Sequence, residues 1–302
     1  MPDVAVVIGN YQGEPLLPDC LASLETQTLR PREVLVVDGA SSDRSVEVAE
    51  GLGARVLRRE NRGLGHLYNE GAAATDAELV LLANNDVAFD ERCVEELSAA
   101  LAARPDAFAA DPRQLDWSSE RVIHARTALR RGPLLRTPIP GLVIDPFVAA
   151  NDVVPTLNAN AGAMLVRREL LLGLGSFDET FFLDYEDLDL CWRAWLRGWP
   201  SLYVPGATLR HKVGMSASPT VSPRRLAGSH ANVLRFALKC LPPGPAARVV
   251  LGELLRLPRH PHPIGAALYR TARGLPGILR ERRQLQPSSD LLARLLLQGR
   301  EH

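Results

Sequence analysis

Two acidic clusters hold the residues of this 302-residue chain best suited to chemistry. Asn84-Asn85-Asp86 follows the apolar run Glu78-Leu79-Val80-Leu81-Leu82-Ala83. An Asp at the C-terminal end of a strand suits a cation bridging a diphosphate, because hard divalent ions take oxygen ligands. Glu186-Asp187-Leu188-Asp189 opens a helical run through Leu188, Cys191, Trp192, Trp195 and Leu196. A carboxylate at the mouth of that helix suits general-base work. Asp38 closes an earlier apolar run. The three positions together imply group transfer from an activated, phosphate-bearing donor.

The elements that must position them alternate regularly. Val4–Ile8, Val34–Val37, Arg55–Leu57, Glu78–Ala83 and Ala107–Ala110 read as strands. Between them, Pro15–Gln27, Ser42 to about Gly51, Gly63–Ala74 and Glu91–Ala103 carry helical spacing or caps. Strand and helix alternating at this pace imply βαβ units in a doubly wound, mostly parallel α/β sheet with helices on both faces. In such sheets ligands bind beyond the carboxyl ends of the strands, where Asn10, Asp38 and Asp86 all fall. Residues 113–160 are rich in Pro and Gly; Arg121–His124 reads as a strand and much of 127–158 as loop. Asn160–Val166 returns to strand character. After Pro205 the pattern is mostly helical: Pro223–Leu241, Ala246–Leu257, Ile264–Arg283 and Ser289–Gln298.

Composition excludes several classes. With 46% hydrophobic residues the chain can bury one large domain plus an appendage, and it has no run of the roughly 20 apolar residues a bilayer span needs. The first residues lack a basic signal-peptide region, and the four cysteines are widely spaced, so reduced core cysteines in a cytoplasmic protein are expected. The zero net charge divides into 19 basic against 31 acidic residues over 1–204, and 16 against 4 over 205–302. The basic part suits anionic lipid or a phosphorylated acceptor, or neutralises the acidic part across an internal interface. Its amphipathic helices suit the inner face of a membrane, the body of the protein or a second subunit of a homodimer; nucleic acid is not an expected partner.

Five segments in order carry a family resemblance. They are Val6–Tyr11, Glu33–Asp43, Asn61-Arg62-Gly63 with Asn69-Glu70-Gly71, Asn84–Val87, and Phe177–Glu179 leading to Glu186–Arg193. Over residues 4–215 the chain resembles an inverting family-two glycosyltransferase of the GT-A fold, in its rhamnosyltransferase-like and galactofuranosyltransferase-like branch. The resemblance implies a catalytic domain over 1–215 and a separate basic helical region over 216–302. It implies a UDP- or dTDP-linked sugar donor, a saccharide or lipid-linked acceptor, Mn²⁺ or Mg²⁺, and a role in bacterial envelope polysaccharide or glycolipid synthesis.

Carried over by position, Asp38 would hold the donor's base or ribose, although an Asp opening Asp38-Gly39-Ala40-Ser41 also suits a turn. Asn10, Tyr11 and Glu14 would line the nucleotide, as would Asn61, Arg62, Gly63 and Asn69. Arg62 is equally a diphosphate contact or a solvated loop residue. Asn84 and Asn85 would lie beside the donor, and Asp86 would take the metal. The family's first metal-site carboxylate is replaced here by Asn84, whose amide oxygen remains a possible ligand. His211 would close the metal site or stand on the surface. Asp187 would be the base, with Glu186 beside it and Asp184 and Asp189 as rivals. Two other readings fit the same elements: a sugar-phosphate nucleotidyltransferase, and an inactive sugar-nucleotide-binding protein. The segment after the first strand, Gly9–Glu14, lacks the basic residue the former needs.

Overall fold

Strand β1 (Val4–Asn10) alternates faces as a period-two element must. Val4, Val6 and Ile8 enter one apolar cluster and Val7 the other, so the strand is buried on both sides. The computed structural model describes residues 3–129, 142–145, 152–182, 184–212 and 222–298. After β1 come α1 (Leu17–Glu25), β2 (Glu33–Asp38), α2 (Ser45–Gly51), β3 (Arg55–Arg58), α3 (Leu64–Ala73) and β4 (Leu79–Asn84). The chain continues through β5 (Val87–Phe89), α4 (Cys93–Ala103), β6 (Ala109–Asp116), β7 (Val122–His124) and β8 (Arg126–Leu129). Next are β9 (Leu142–Asp145), β10 (Val154–Thr156), β11 (Ala163–Arg167), α5 (Arg168–Gly173) and α6 (Glu186–Leu196). The last strand is β12 (Ser201–His211), followed by α7 (Pro223–Cys240), α8 (Pro243–Arg256), α9 (Pro261–Leu285) and α10 (Ser289–Gln298).

One sheet runs in the order β10-β12-β6-β11-β4-β1-β2-β3, with β5 on β12 and β7 on β6. Strands β1, β2, β3, β4, β6 and β12 point one way; β5, β7, β10 and β11 oppose them. Helices α1, α2 and α4 cover one face, and α3, α5 and α6 the other. The expected mixed, mostly parallel α/β sheet with helices on both faces is therefore present. Register places Asn10 beside Asp38 and Gly9 beside Asn84, so these strand ends share one edge. Antiparallel β11 starts at that edge, since Ala163 pairs with Ala83.

The four helices expected after Pro205 are present as α7–α10, but β12 first runs through Pro205 to His211. Pro205 and Gly206 lie in the register shift between Val204 and Thr208, where the ladder is interrupted and no N–H is required. Parallel pairing with β6 then carries His211 to the site edge. Within 127–158, expected to be mainly loop, β8 and β9 form a two-stranded antiparallel sheet and β10 joins the main sheet. The Pro- and Gly-rich residues 132–141 and Pro146 lie outside the described residues.

Helix α6 is buried all round, as a helix packed on two sides must be. Leu190, Cys191 and Ala194 meet the sheet, while Leu188, Trp192 and Trp195 meet α7, α8 and α10. Trp192 packs edge-on against Phe236 of α7 at 5.6 Å between ring centroids. Arg235 and Lys239 of α7 point inward. Lys239 Nζ lies 2.6 Å from Asp178 and 2.7 Å from Asp189, and Arg235 is 2.7 Å from both Asp178 and Glu281. Arg193 completes the group at 2.8 Å from Asp189. Buried cations are tolerated when carboxylates face them, which the stripe pattern alone does not reveal. Arg282 of α9 donates to the carbonyls of Leu238 and Leu241, closing the C-terminus of α7.

Burial pushes the Asp178 carboxyl up, but the Lys239 and Arg235 charges outweigh it and hold it well below the usual carboxylate range. Its stabilisation is therefore complete above the unfolded pKa of about 3.9 and is lost as pH falls through the lower folded value. Asp178→Asn should cost about 3 kcal/mol at pH 7, as removal of one partner of a buried pair does. In urea melts the gap to the parent chain should narrow below about pH 4. A gap of equal size at pH 7 and pH 3 would contradict this role.

Candidate active site

The edge where β1, β2 and β4 end is stitched by side chains. Asn10 Nδ2 donates to Asp38 Oδ1 at 2.8 Å, and Asn10 Oδ1 accepts from Asn85 Nδ2 at 2.6 Å. Asp38, fully buried, also accepts from the Ser41 N–H at 2.9 Å and the Ser41 hydroxyl at 2.6 Å. These bonds make Asp38 the organiser of the turn through Ser41 as well as a member of the strand-end group. Gly13 fits beneath: a Cβ there would stand 2.0 Å from Asn10 Oδ1. Tyr11 is half exposed on the rim. Glu14 faces away, accepting from the Arg44 N–H at the start of α2.

The segment before α3 meets the segment before α6. Asn61 Oδ1 accepts from the Gly63 N–H at 3.3 Å. Gly63 has φ of 104°, and a Cβ on it would lie 2.4 Å from the Phe182 carbonyl oxygen, so close approach requires glycine here. Arg62 pairs with Glu179 at 2.8 Å, and His66 contacts the same carboxylate at 3.1 Å. Asn69 donates to the Phe177 carbonyl and Glu179 and accepts from the Phe177 N–H. Arg62 and Asn69 thus hold the 177–182 segment in place.

At the end of β4, the Tyr68 hydroxyl shares its one proton between the Ala161 carbonyl at 2.8 Å and Asn84 Oδ1 at 3.0 Å. Burial, followed by the charges of Glu186, Asp86 and Asp187, raises the Tyr68 pKa well above its ordinary value, so Tyr68 stays a donor. The Asn84 oxygen is engaged, and its amide hydrogens remain for an oxygen-bearing ligand. Asp86 is buried, with Oδ1 3.2 Å from His211 Nε2. On the other side of the ring, His211 Nδ1 lies 3.0 Å from Gln114 Oε1. An amide oxygen accepts and cannot donate, so Nδ1 carries a proton and, in the neutral ring, the Nε2 lone pair faces the carboxylate. Two electron-rich atoms face to face fit a cation held by both. Among the described residues no three His, Cys, Asp or Glu side chains converge on a metal position.

Facing these groups is the head of α6. Asp184 and Tyr185 both adopt left-handed backbone, at φ of 69° and 75°, a strained pair of the kind that marks functional turns. Asn232 of α7 donates to the Asp184 carbonyl at 2.9 Å. Asp187 accepts from the Leu188 N–H at 2.7 Å, the Ala161 N–H at 3.4 Å and the Asn158 side chain. Burial raises its pKa nonetheless. Glu186 is buried, with Oε2 lacking a hydrogen-bond partner, and burial followed by the Asp187 charge raises its pKa. Asp189, by contrast, is wholly buried against Arg193 and Lys239 and is structural.

A cavity of about 430 Å³ gathers Asn84, Asn158, Asn160, Glu186, Asp187 and His211 in one wall. The structure thus brings together the β4 end, His211 and the α6 acids. Asn158 and Asn160 were missed from sequence, although two polar residues two apart before a strand share one face. Behind them, Asp111 accepts from the Asn160 N–H at 3.1 Å and lies 2.8 Å from His124 Nε2. Burial raises the Asp111 pKa; for His124 burial acts downward, but the Asp111 charge outweighs it.

Comparison with known proteins agrees with this architecture. Residues 5–148 match Glycosyl transferase family 2. An N-acetylglucosaminyl-diphospho-decaprenol L-rhamnosyltransferase of Mycobacterium tuberculosis is 31% identical over 261 residues, covering 78% of this chain and 84% of that protein. GalNAc-T7, solved with UDP, GalNAc and Mn²⁺, superposes with a TM-score of 0.65 at 16% identity, covering 80% of this chain and 49% of its own. Mannosyltransferase PcManGT of Pyrobaculum calidifontis, solved with GDP-Man and Mn²⁺, superposes at 0.54 with 17% identity, covering 99% and 86%. These structures share the fold with this chain. With that profile match and a relative spanned over most of its length, the chain belongs to glycosyl transferase family 2.

Proposed function

We propose that the chain moves a sugar, most simply rhamnose, from a UDP- or dTDP-linked donor to a hydroxyl of a lipid-linked saccharide, with inversion at the anomeric carbon. The observation that carries this reading is the cavity lined by Asp187, Glu186 and His211, with Asp86 next to His211. The mycobacterial relative's name supplies the sugar and the diphosphate-linked lipid acceptor. Attack by the acceptor oxygen forms the new glycosidic bond while the bond from the anomeric carbon to the diphosphate oxygen breaks. Asp187 takes the acceptor hydroxyl's proton. The carboxylate is held as an acceptor by the Ala161 and Leu188 N–H groups, and burial strengthens it as a base. One base suffices because inversion in a single displacement needs no covalent intermediate.

Asp86 and His211 are the residues that would hold Mg²⁺ or Mn²⁺, with diphosphate oxygens and water completing the shell. A bound cation supplies positive charge against the departing diphosphate. Asn10, Asn85 and Asp38 fix the loop on which Tyr11 stands, and Asn84 offers its amide hydrogens to the donor. Peripheral membrane contact fits the exposed Leu251, Leu254 and Leu255 of α8. Among the described residues no helix is long and apolar enough to cross a membrane. The proposed boundary near residue 215 separates the catalytic sheet from α7–α10 in sequence, while α6 packs against both.

Nucleotide-diphosphate affinity should fall with EDTA and recover with Mn²⁺, and Asp86→Ala should abolish that response in calorimetric titrations. Binding by the parent chain that ignores EDTA would remove the metal assignment.

Asp187→Asn keeps the side chain's size but cannot take a proton, so transfer should drop by ~10²–10⁴ while donor binding survives. Transfer near the parent rate would move the base elsewhere.

The base acts only when deprotonated, so rate should fall as pH drops through a pKa raised above the ordinary carboxylate range. Burial and the Asp187 charge raise the Glu186 pKa to about 8, so Glu186 is neutral while Asp187 titrates and Glu186→Gln should leave that acid limb in place. A limb that moves to lower pH in kcat/KM profiles would show that Glu186 carries the charge first.

A further inference from the structure

A second cavity, of about 570 Å³, opens between α7, α9 and the segment before α6. It adjoins the catalytic cavity, with Asp184 and Ser229 lining both. Four arginines stand in its wall: the ion-paired Arg235 of α7, and three others, Arg224 and Arg225 on α7 and Arg270 on α9. Arg224 and Gly228 are one turn apart on α7, and Arg270 Nη1 lies 3.9 Å from where a Cβ on Gly228 would be. The Arg270 guanidinium thus reaches across to the α7 face that bears Arg224. The other cations of α7 differ, since Arg235 and Lys239 have carboxylate partners. None of the three arginines has a carboxylate within 4 Å among the described residues. Thr271 Oγ1, buried in the same wall, has no hydrogen-bond partner among the described residues.

Like charges gathered with no acid in ion-pair reach repel one another, and a multiply charged anion relieves that repulsion. Guanidinium groups match phosphate oxygens in planar, paired hydrogen bonds. We infer that this cavity binds the diphosphate of a lipid-linked acceptor, held by Arg224, Arg225 and Arg270, with its sugar reaching past Asp184 to Asp187. The inference rests on the proposed transfer to such an acceptor and gives the acceptor a subsite separate from the donor's diphosphate. Asp184 repels phosphate, which sets the diphosphate at the arginine end and leaves the junction to the sugar.

The test titrates the full chain with farnesyl diphosphate in EDTA, so that no metal-assisted donor site competes. The parent should bind, inorganic diphosphate should compete, and the double variant Arg224→Ala, Arg270→Ala should bind on the order of tenfold more weakly for each arginine removed. All three arginines are exposed, and unchanged thermal melts would show the variants folded. Equal binding by parent and folded double variant, or no binding by the parent, overturns the inference. So does a variant that loses phosphatidylglycerol vesicles yet keeps farnesyl diphosphate, because the arginines would then serve a lipid surface. Titration with UDP and dTDP in Mn²⁺ separates the two readings. A parent that binds neither nucleotide but holds farnesyl diphosphate through the arginines keeps this site and loses the transferase reading.

Discussion

The buried ion group between α6 and α7 is the interaction on which the remainder depends. Asp178, Asp189 and Glu281 face Arg193, Arg235 and Lys239, so the group is electrically balanced. Asp189 is two residues beyond Asp187, and both its oxygens are engaged, one by Arg193 and one by Lys239. The axial position of α6, and with it the direction of its first-turn acids, is therefore set from the C-terminal helices. A hydrophobic interface alone would permit sliding; a desolvated carboxylate with two fixed partners does not.

The split of charge along the sequence has part of its physical origin here. A basic C-terminal third beside an acidic sheet domain gives a neutral chain, and Arg235 and Lys239 carry some of that excess into the interface. The same excess leaves other arginines on the α7 and α9 surfaces. One sequence property thus serves two different surfaces, an internal one and an external one.

Much of the sheet was legible because its strands are doubly buried and its helices periodic. Val6, Leu81 and Leu21 say inside wherever they are placed, and they do enter the core. β12 was not legible, since Pro205-Gly206 looks like a stop and only pairing with β6 shows it to be an irregularity within a strand. The family resemblance placed Asp86, His211 and Asp187 in one site, and the cavity unites His211 and Asp187 in one wall, with Asp86 behind His211. It did not show that Asn69 and Arg62 bind the 177–182 segment, or that the Asn84 oxygen belongs to Tyr68. Those contacts join residues about 16 to 115 positions apart, and no local pattern encodes them. The partners of Lys239 were hidden for a related reason: a helical wheel shows the angle of a side chain and not the charge waiting opposite it.

The strained turn at Asp184 and Tyr185 has a consequence for biosynthesis. Its carbonyl is held by Asn232, and the helix it starts is fixed by Lys239. A ribosome delivers the sheet first, with the strand ends already stitched by Asn10, Asp38 and Asn85. The acids of α6 emerge about fifty residues before the groups that orient them. A nascent chain can therefore complete its strand-end edge while the acids of α6 still lack their restraints. Vectorial synthesis thus separates the two halves of the site in time, and the catalytic geometry arrives only with the helices.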